Sequence, residues 1–153
     1  MTMVQRQRRW LWYALALAVL AVDQATKALW GETSAILIPG VMRFVPVRNT
    51  GVAFGLFQGG NALLISVTAL ACAVLLFVLS RKTVSTADRL GCALMLGGAL
   101  GNLTDRVWHG HVVDFIAMDW LPFFPVFNLA DAALVGGIVW LLIMELRAHW
   151  RAR

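Results

Sequence analysis

Charge is scarce in this 153-residue chain: Asp, Glu, Lys and Arg supply 14% of it, where an ordinary soluble domain carries about 25%. That shortage argues against a soluble globule, and the 60% hydrophobic content argues against disorder, which needs low hydrophobicity and high net charge. Cysteine is scarce too. Cys72 and Cys92 lie deep in apolar runs, so neither a disulfide framework nor a cysteine metal cluster is supported, and each reads as a small buried hydrophobe.

Several catalytic signatures are missing. No His-Glu-x-x-His occurs for a zinc intramembrane protease. No Gly-x-Ser-x-Gly elbow is present, and the few serines lack a placed histidine. His109-x-His111 with Asp114 is a weak metal signature. No Gly-rich phosphate loop, internal repeat or low-complexity tract is found. Neither a cofactor nor a metal is expected.

What the chain does have is long apolar runs. Mean hydropathy is +0.75, and no charged residue occurs between 49 and 80. Further apolar stretches cover 10–22, 90–104 and 126–144, the last broken by Asn128 and Asp131. A bilayer core of about 30 Å needs around 20 helical residues. Helices are expected near 10–30, 61–80, 88–107 and 126–146. The first resembles a signal peptide, with Arg6, Arg8 and Arg9 ahead of an apolar run, but Asp-Gln-Ala-Thr-Lys follows in place of a small-residue cleavage site. It reads as a retained helix.

Length suggests one domain. The fold expected is an all-α membrane protein, a single membrane domain over 1–153 built as a four-helix transmembrane bundle. A small strand-containing extracytoplasmic cradle would occupy about 31–60, where Pro39-Gly40, Pro46 and several glycines interrupt alternating apolar residues. A second outer segment, 108–125, is rich in His, Asp and aromatics.

Basic residues set the orientation. With both termini cytoplasmic, the inner side holds Arg6, Arg8, Arg9, Arg81, Lys82, Arg89, Arg147, Arg151 and Arg153, nine of the 13. The pI near 10.2 is then a positive-inside signature, and a nucleic-acid partner drops away. Trp10, Trp12 and Trp150 fall at the inner interface, and Trp30, Trp108 and Trp120 at the outer one. Trp140 falls outside these belts and reads as lipid-facing or packed.

The eight acids then sort by depth. Asp88 and Glu145 lie at the inner ends; Glu32 and Asp119 read as solvated at the outer surface. At 1.5 Å per residue, Asp23 lies about 20 Å from Trp10, Asp105 about 22 Å from Leu90, and Asp131 roughly 8 Å below Val126. Carboxylates from three helices thus reach the outer third of the bilayer. An ionisable side chain at a helix centre costs at least about 2.5–3.5 kcal/mol, so such groups face the bundle interior and find partners. Asp23 and Lys27 share a face at i,i+4, as do Asn102, Asp105 and Arg106, and Asn128 with Asp131 at i,i+3. Gly97, Gly98 and Gly101 permit close helix contact. The basic-paired acids suit a structural role.

Asp114 and Asp131 have no basic residue at i±3 or i±4. Two carboxylates meeting in an apolar site cannot easily both ionise, which supplies an acid and a base around one water, the requirement for hydrolysing an amide without a covalent intermediate. A proton relay and plain burial stand beside this reading. A relay needs ionisable groups through the full depth, and the inner half of every span is bare of them.

Five motifs occur in order: Asp23-Gln24-x-Thr26-Lys27, Asn49-x-Gly51-x-Ala53-Phe54, Gly97-Gly98-x-x-Gly101-Asn102-x-x-Asp105-Arg106, Val113-Asp114-Phe115 and Phe127-Asn128-x-Ala130-Asp131. Together they resemble the lipoprotein signal peptidase family (signal peptidase II) of bacterial inner membranes. The resemblance implies an intramembrane aspartic endopeptidase. Its partners would be membrane lipid and a prolipoprotein substrate whose cysteine carries diacylglycerol, cut just before that cysteine. It implies catalytic roles for Asp114 and Asp131. Asn49, Gly51, Asn102, Arg106 and Asn128 would line the site and hold substrate backbone, and Asp23, Lys27 and Asp105 would support it. The active site would lie near the periplasmic face.

Overall fold

The computed structural model describes residues 9–51, 60–121 and 123–151. Four helices and three strands follow in the order α1 (Trp10–Trp30), β1 (Ala35–Ile38), β2 (Met42–Asn49), α2 (Asn61–Ser80), α3 (Thr86–His109), β3 (Val112–Met118) and α4 (Leu129–Arg151). Arg6, Arg8 and Arg153, and the Ala53-Phe54 end of the second motif, lie outside the described residues.

Helix limits follow from local chemistry. The expected 88–107 is observed as Thr86–His109 because its ends are chemically set. Ser85 caps the start, its Oγ accepting from Asp88 N at 3.0 Å and donating to Asp88 Oδ2 at 2.7 Å. Gly110 ends the helix in the left-handed region, φ 76°, which costs glycine nothing and lets the chain reverse into β3. The α2 C-terminus is closed by a side chain from the next helix: buried Arg89 donates to the carbonyls of Leu79, Arg81 and Val84.

Helix α3 is the hub, packed against each of the other helices. Its glycines set the distances. A Cβ at Gly97 would sit 2.6 Å from Val19 Cβ on α1, one at Gly98 would strike the Ala130 carbonyl on α4, and one at Gly91 would sit 2.6 Å from Leu141. The buried core gathers Ala16, Cys72, Leu79, Cys92, Leu96 and Ala99; both cysteines are free. Trp140 is packed, its Nε1 donating to Ala87 O at 2.7 Å.

Helices α2 and α4 are long and apolar enough to cross a membrane, yet only 17% and 11% of their apolar windows are buried inside the protein. Leu63, Leu70 and Phe77 on α2 and Val139, Leu142 and Leu146 on α4 face outward. Leaving such a side chain in water forgoes about 1.5–3 kcal/mol each, and contiguous apolar surface on this scale calls for a non-aqueous neighbour.

The strands form one antiparallel sheet in the order β1-β2-β3. Pro39-Gly40 makes the β1–β2 turn, with Val41 N donating to Ile38 O at 3.0 Å and Gly40 at φ 71°, the type II geometry that favours Pro then Gly. Pairing of β2 with β3 is interrupted between Phe44 and Val47, around Pro46, which has no N–H to give a ladder. The sheet is not confined to the expected cradle at 31–60: its third strand comes from the second outer segment. That strand did not stand out in the sequence because Val112, Asp114, Phe115 and Ala117 are all buried, which erases the polar-apolar alternation of a half-exposed strand.

The fourth helix starts at Leu129, not at 126. Residues before it are held in sheet-like pairing, Phe127 N donating to Ile116 O at 3.0 Å and Phe127 O accepting from Ile116 N at 2.8 Å. Asp131 therefore occupies the first helical turn, rather than a position roughly 8 Å inside the helix.

Candidate active site

The buried polar groups converge where the sheet meets the ends of α1, α3 and α4. Asp114 projects from β3 and is 1% exposed. Asp131 stands in the first turn of α4. Both line one open cavity of about 780 Å³, together with Asn49, Asn102 and Arg106. The lower walls are apolar: Val67 and Ala71 from α2, Ala99 from α3, Leu134 and Val135 from α4.

Asp131 is positioned by a reciprocal cap. Asn128 Oδ1 accepts from Asp131 N at 2.9 Å, and Asp131 Oδ2 accepts from Asn128 N at 3.2 Å. This is a capping box with Asn at N-cap and Asp at N3. Two of the orphan donors that every helix N-terminus carries are thereby satisfied. A third, Ala130 N, donates to Asp23 Oδ1 at 2.8 Å.

Three asparagines hold the carboxylates, and in each the amide orientation is dictated. Asn128 Oδ1 faces the Asp131 N–H, so Nδ2 turns to Asp114 Oδ1 at 2.7 Å. Asn49 Oδ1 accepts from Gly51 N at 3.0 Å, so its Nδ2 donates to Asp114 Oδ2 at 2.9 Å. Asn102 Oδ1 accepts from Lys27 Nζ at 3.1 Å, so its Nδ2 donates to Asp131 Oδ1 at 2.7 Å. An N–H or ammonium can only donate, so each amide oxygen is committed and each amide nitrogen is left for an aspartate.

Lys27 also reaches Asp23 Oδ2 and Asp105 Oδ2, both at 2.8 Å. Asp105 therefore pairs with Lys27 across helices and not with its neighbour Arg106. Arg106 instead donates to Gly51 O at 3.0 Å and to Asn102 O at 3.5 Å, bridging α3 to the end of β2. Asp119, expected to be solvated, is paired: Arg43 Nε lies 2.6 Å from its Oδ1. Among the described residues, neither Asp114 nor Asp131 forms an ion pair. His109 and His111 have ring centroids 6.1 Å apart with their planes tilted by 45°, outside the cavity lining.

Burial pushes the Asp114 carboxyl up and the neighbouring Asp131 carboxylate pushes it further; the amides of Asn49 and Asn128 and the charge of Lys27 oppose this, leaving it at about 7. Asp114 thus holds or releases a proton near neutrality, the property a general acid requires.

Residues 15–147 match the protein family described as signal peptidase (SPase) II. The chain belongs to the signal peptidase II family. A lipoprotein signal peptidase of Pseudomonas putida is 40% identical over 148 residues, spanning 88% of this chain and 84% of its own. One from Symbiobacterium thermophilum is 37% identical over 131 residues, spanning 81% and 86%. A solved bacterial membrane enzyme, determined by the in meso method at 2.3 Å resolution, aligns with a TM-score of 0.86 at 28% identity over 93% of this chain and 91% of that one. The fold is thus that of a membrane enzyme, and the family is a peptidase family.

One contributor to this signal peptidase II site, Gln24, and one role, that of Asn128 as a helix cap, were not singled out from the sequence. Gln24 Nε2 ties Asp23 Oδ2 at 3.2 Å, Gly101 O at 3.2 Å and Asp105 Oδ1 at 2.9 Å. Its place beside Asp23 in the first motif was the only hint. Asn128 as a helix cap was legible in principle, because Asn-x-x-Asp ahead of an apolar run is an N-terminus signature.

Proposed function

We propose that this chain is an intramembrane aspartic endopeptidase that removes the signal peptide from diacylglyceryl-modified prolipoproteins, cutting just before the lipidated cysteine. The observation that carries the reading is the pair of carboxylates, Asp114 and Asp131, lining one cavity, each held by a dictated amide donor.

Asp114, with its carboxyl pushed up to about 7, holds the proton of the dyad and delivers it to the scissile carbonyl. Asp131 serves as base, taking a proton from the attacking water. The tetrahedral intermediate collapses when the leaving amide nitrogen is protonated, with no covalent acyl-enzyme. Asp131 is the donor to that nitrogen as the C–N bond breaks, and Asp114 takes a proton back from a hydroxyl of the intermediate, so both carboxyls return to their starting states. Arg106, Asn49 and Asn102 line the cavity, where they pair the backbone of an extended substrate that lacks water at that depth; Asn128, expected among the lining residues, is fully buried and holds the dyad instead.

The apolar lower walls suit a signal helix arriving from the bilayer, with the acyl chains left in lipid. The chain then forms a single multi-pass membrane domain over 1–153 in the bacterial inner membrane, with α1 and α3 also spanning, both termini cytoplasmic and the dyad near the periplasmic face. Membrane lipid is its surrounding partner, and nucleic acid has no role. Purified protein should cleave a diacylated precursor peptide and spare the unlipidated one. Asp114→Asn and Asp131→Asn should each abolish turnover; near-normal turnover in either sinks the dyad.

A further inference from the structure

Each dyad aspartate is preceded by a residue whose backbone N–H is gripped by a buried carboxylate from another element. Ala130, immediately before Asp131, donates to Asp23 Oδ1 at 2.8 Å. Val113, immediately before Asp114, donates to Asp105 Oδ2 at 3.0 Å. Lys27 Nζ joins those two carboxylates, 2.8 Å from each. Its third N–H goes to Asn102 Oδ1 at 3.1 Å, and Asn102 donates to Asp131. All three ammonium protons therefore lead, through one intervening side chain, to a dyad aspartate or to the peptide unit beside it.

We infer that, on the dyad reading given above, Lys27 is a positioning residue that sets the spacing of the two catalytic carboxylates, with Asp23 and Asp105 as its two arms. A counter-ion for one buried acid needs one carboxylate and one ammonium. Here two carboxylates share a single ammonium, and Asp23, Asp105 and Lys27 are all buried. Such an arrangement is expensive to bury. The excess acid is offset by the backbone donors it binds, and those donors belong to the residues next to Asp114 and Asp131. Successive Cα atoms are about 3.8 Å apart across a rigid peptide plane, so displacement of either gripped N–H passes to the neighbouring aspartate. A misplacement of about 1 Å at reacting groups can cost about 100-fold in rate.

The test uses the full chain in proteoliposomes with a diacylated precursor peptide. Wild-type cleavage, and its loss in Asp131→Asn, first establish the dyad reading; failure there is failure of that reading and is seen before the arms are touched. Asp105→Glu and Asp23→Glu keep the charge, the ion pair and an acceptor oxygen, and only lengthen an arm by one methylene. Each should lower kcat at least tenfold while KM stays within threefold. Lys27→Met should lower kcat at least 100-fold. It should also move the alkaline limb of the kcat–pH profile upward, because Asp114 loses the Lys27 charge from α1 that holds its carboxyl down, while Asp131 on α4, Asp105 and Arg106 on α3 and Arg48 on β2 remain around it. If Lys27→Met fails to fold, the two arm variants decide. Arm variants within threefold of wild-type kcat overturn the inference, and so does a loss explained wholly by KM or by unfolded protein.

Discussion

Asn128 offers a quantitative test of how the site is built, because it caps α4 and binds Asp114 with the same amide. The side chain is fully buried. Its Oδ1 accepts from Asp131 N at 2.9 Å, and its Nδ2 donates to Asp114 Oδ1 at 2.7 Å and to Asn102 Oδ1 at 3.1 Å. Asn128→Ala removes an N-cap, worth about 0.5–2 kcal/mol, and a hydrogen bond to a charge-bearing group, worth about 1.5–3 kcal/mol. The combined loss of about 2–5 kcal/mol lowers the unfolding midpoint by roughly 5–15 °C for a chain of this size. Asn128→Ser separates the two parts: its hydroxyl still caps Asp131 N–H but cannot reach Asp114, so about 1 kcal/mol should return. Tryptophan-fluorescence melting of the purified variants reads these differences. Loss of the amide also removes a donor that favours the Asp114 carboxylate, so the alkaline limb of activity moves upward in both variants. Serine and alanine variants melting together, or both within 1 °C of wild type, would refute the capping-box account.

Two further outcomes follow from the same geometry. Asp114 is pushed from the ordinary 3.8 up to about 7, so the folded chain holds a proton that the unfolded chain releases, and stability declines as pH rises from about 4 to about 7. Asp114→Asn should flatten that decline in melting curves recorded across the window; an unchanged slope would contradict the assignment. Gly98 and Gly136 lie on facing helices but differ in room: a Cβ at Gly98 meets the Ala130 carbonyl, whereas one at Gly136 meets nothing within 4 Å. Gly98→Val should therefore push back the start of α4 and cost activity as well as stability. Gly136→Ala should be neutral or stabilise by up to about 1 kcal/mol, and equal effects at the two positions would rule out the close-approach explanation.

The helices were legible because lipid-facing surface leaves long apolar runs, and limits such as Trp10–Trp30 and Asn61–Ser80 fall where those runs meet glycines and polar residues. Local spacing also separated Asp114 and Asp131 from the acids with basic neighbours. It could not see across helices. The i,i+4 rule found Lys27 with Asp23 but missed Lys27 with Asp105, and the face shared with Asn102 grouped Asp105 with its neighbour Arg106, which binds carbonyls instead. Arg43 with Asp119 was missed for the same reason, since only the β2–β3 register brings them together. Strand β3 was hidden by burial on both faces, and α4 was started three residues early because apolar Val126 and Phe127 do not reveal that Phe127 is paired with Ile116.

The site has no local subassembly. Lys27 comes from α1, Asn49 from β2, Asn102 from α3, Asp114 from β3 and Asp131 from the beginning of α4. On the function proposed above, a ribosome making this chain must therefore synthesise almost all of it before a single competent dyad exists. Nascent and truncated chains carry some of the parts and none of the chemistry. Proteolytic activity would then appear only when the last helix is in place, so in the cell its appearance would report that the chain is fully assembled.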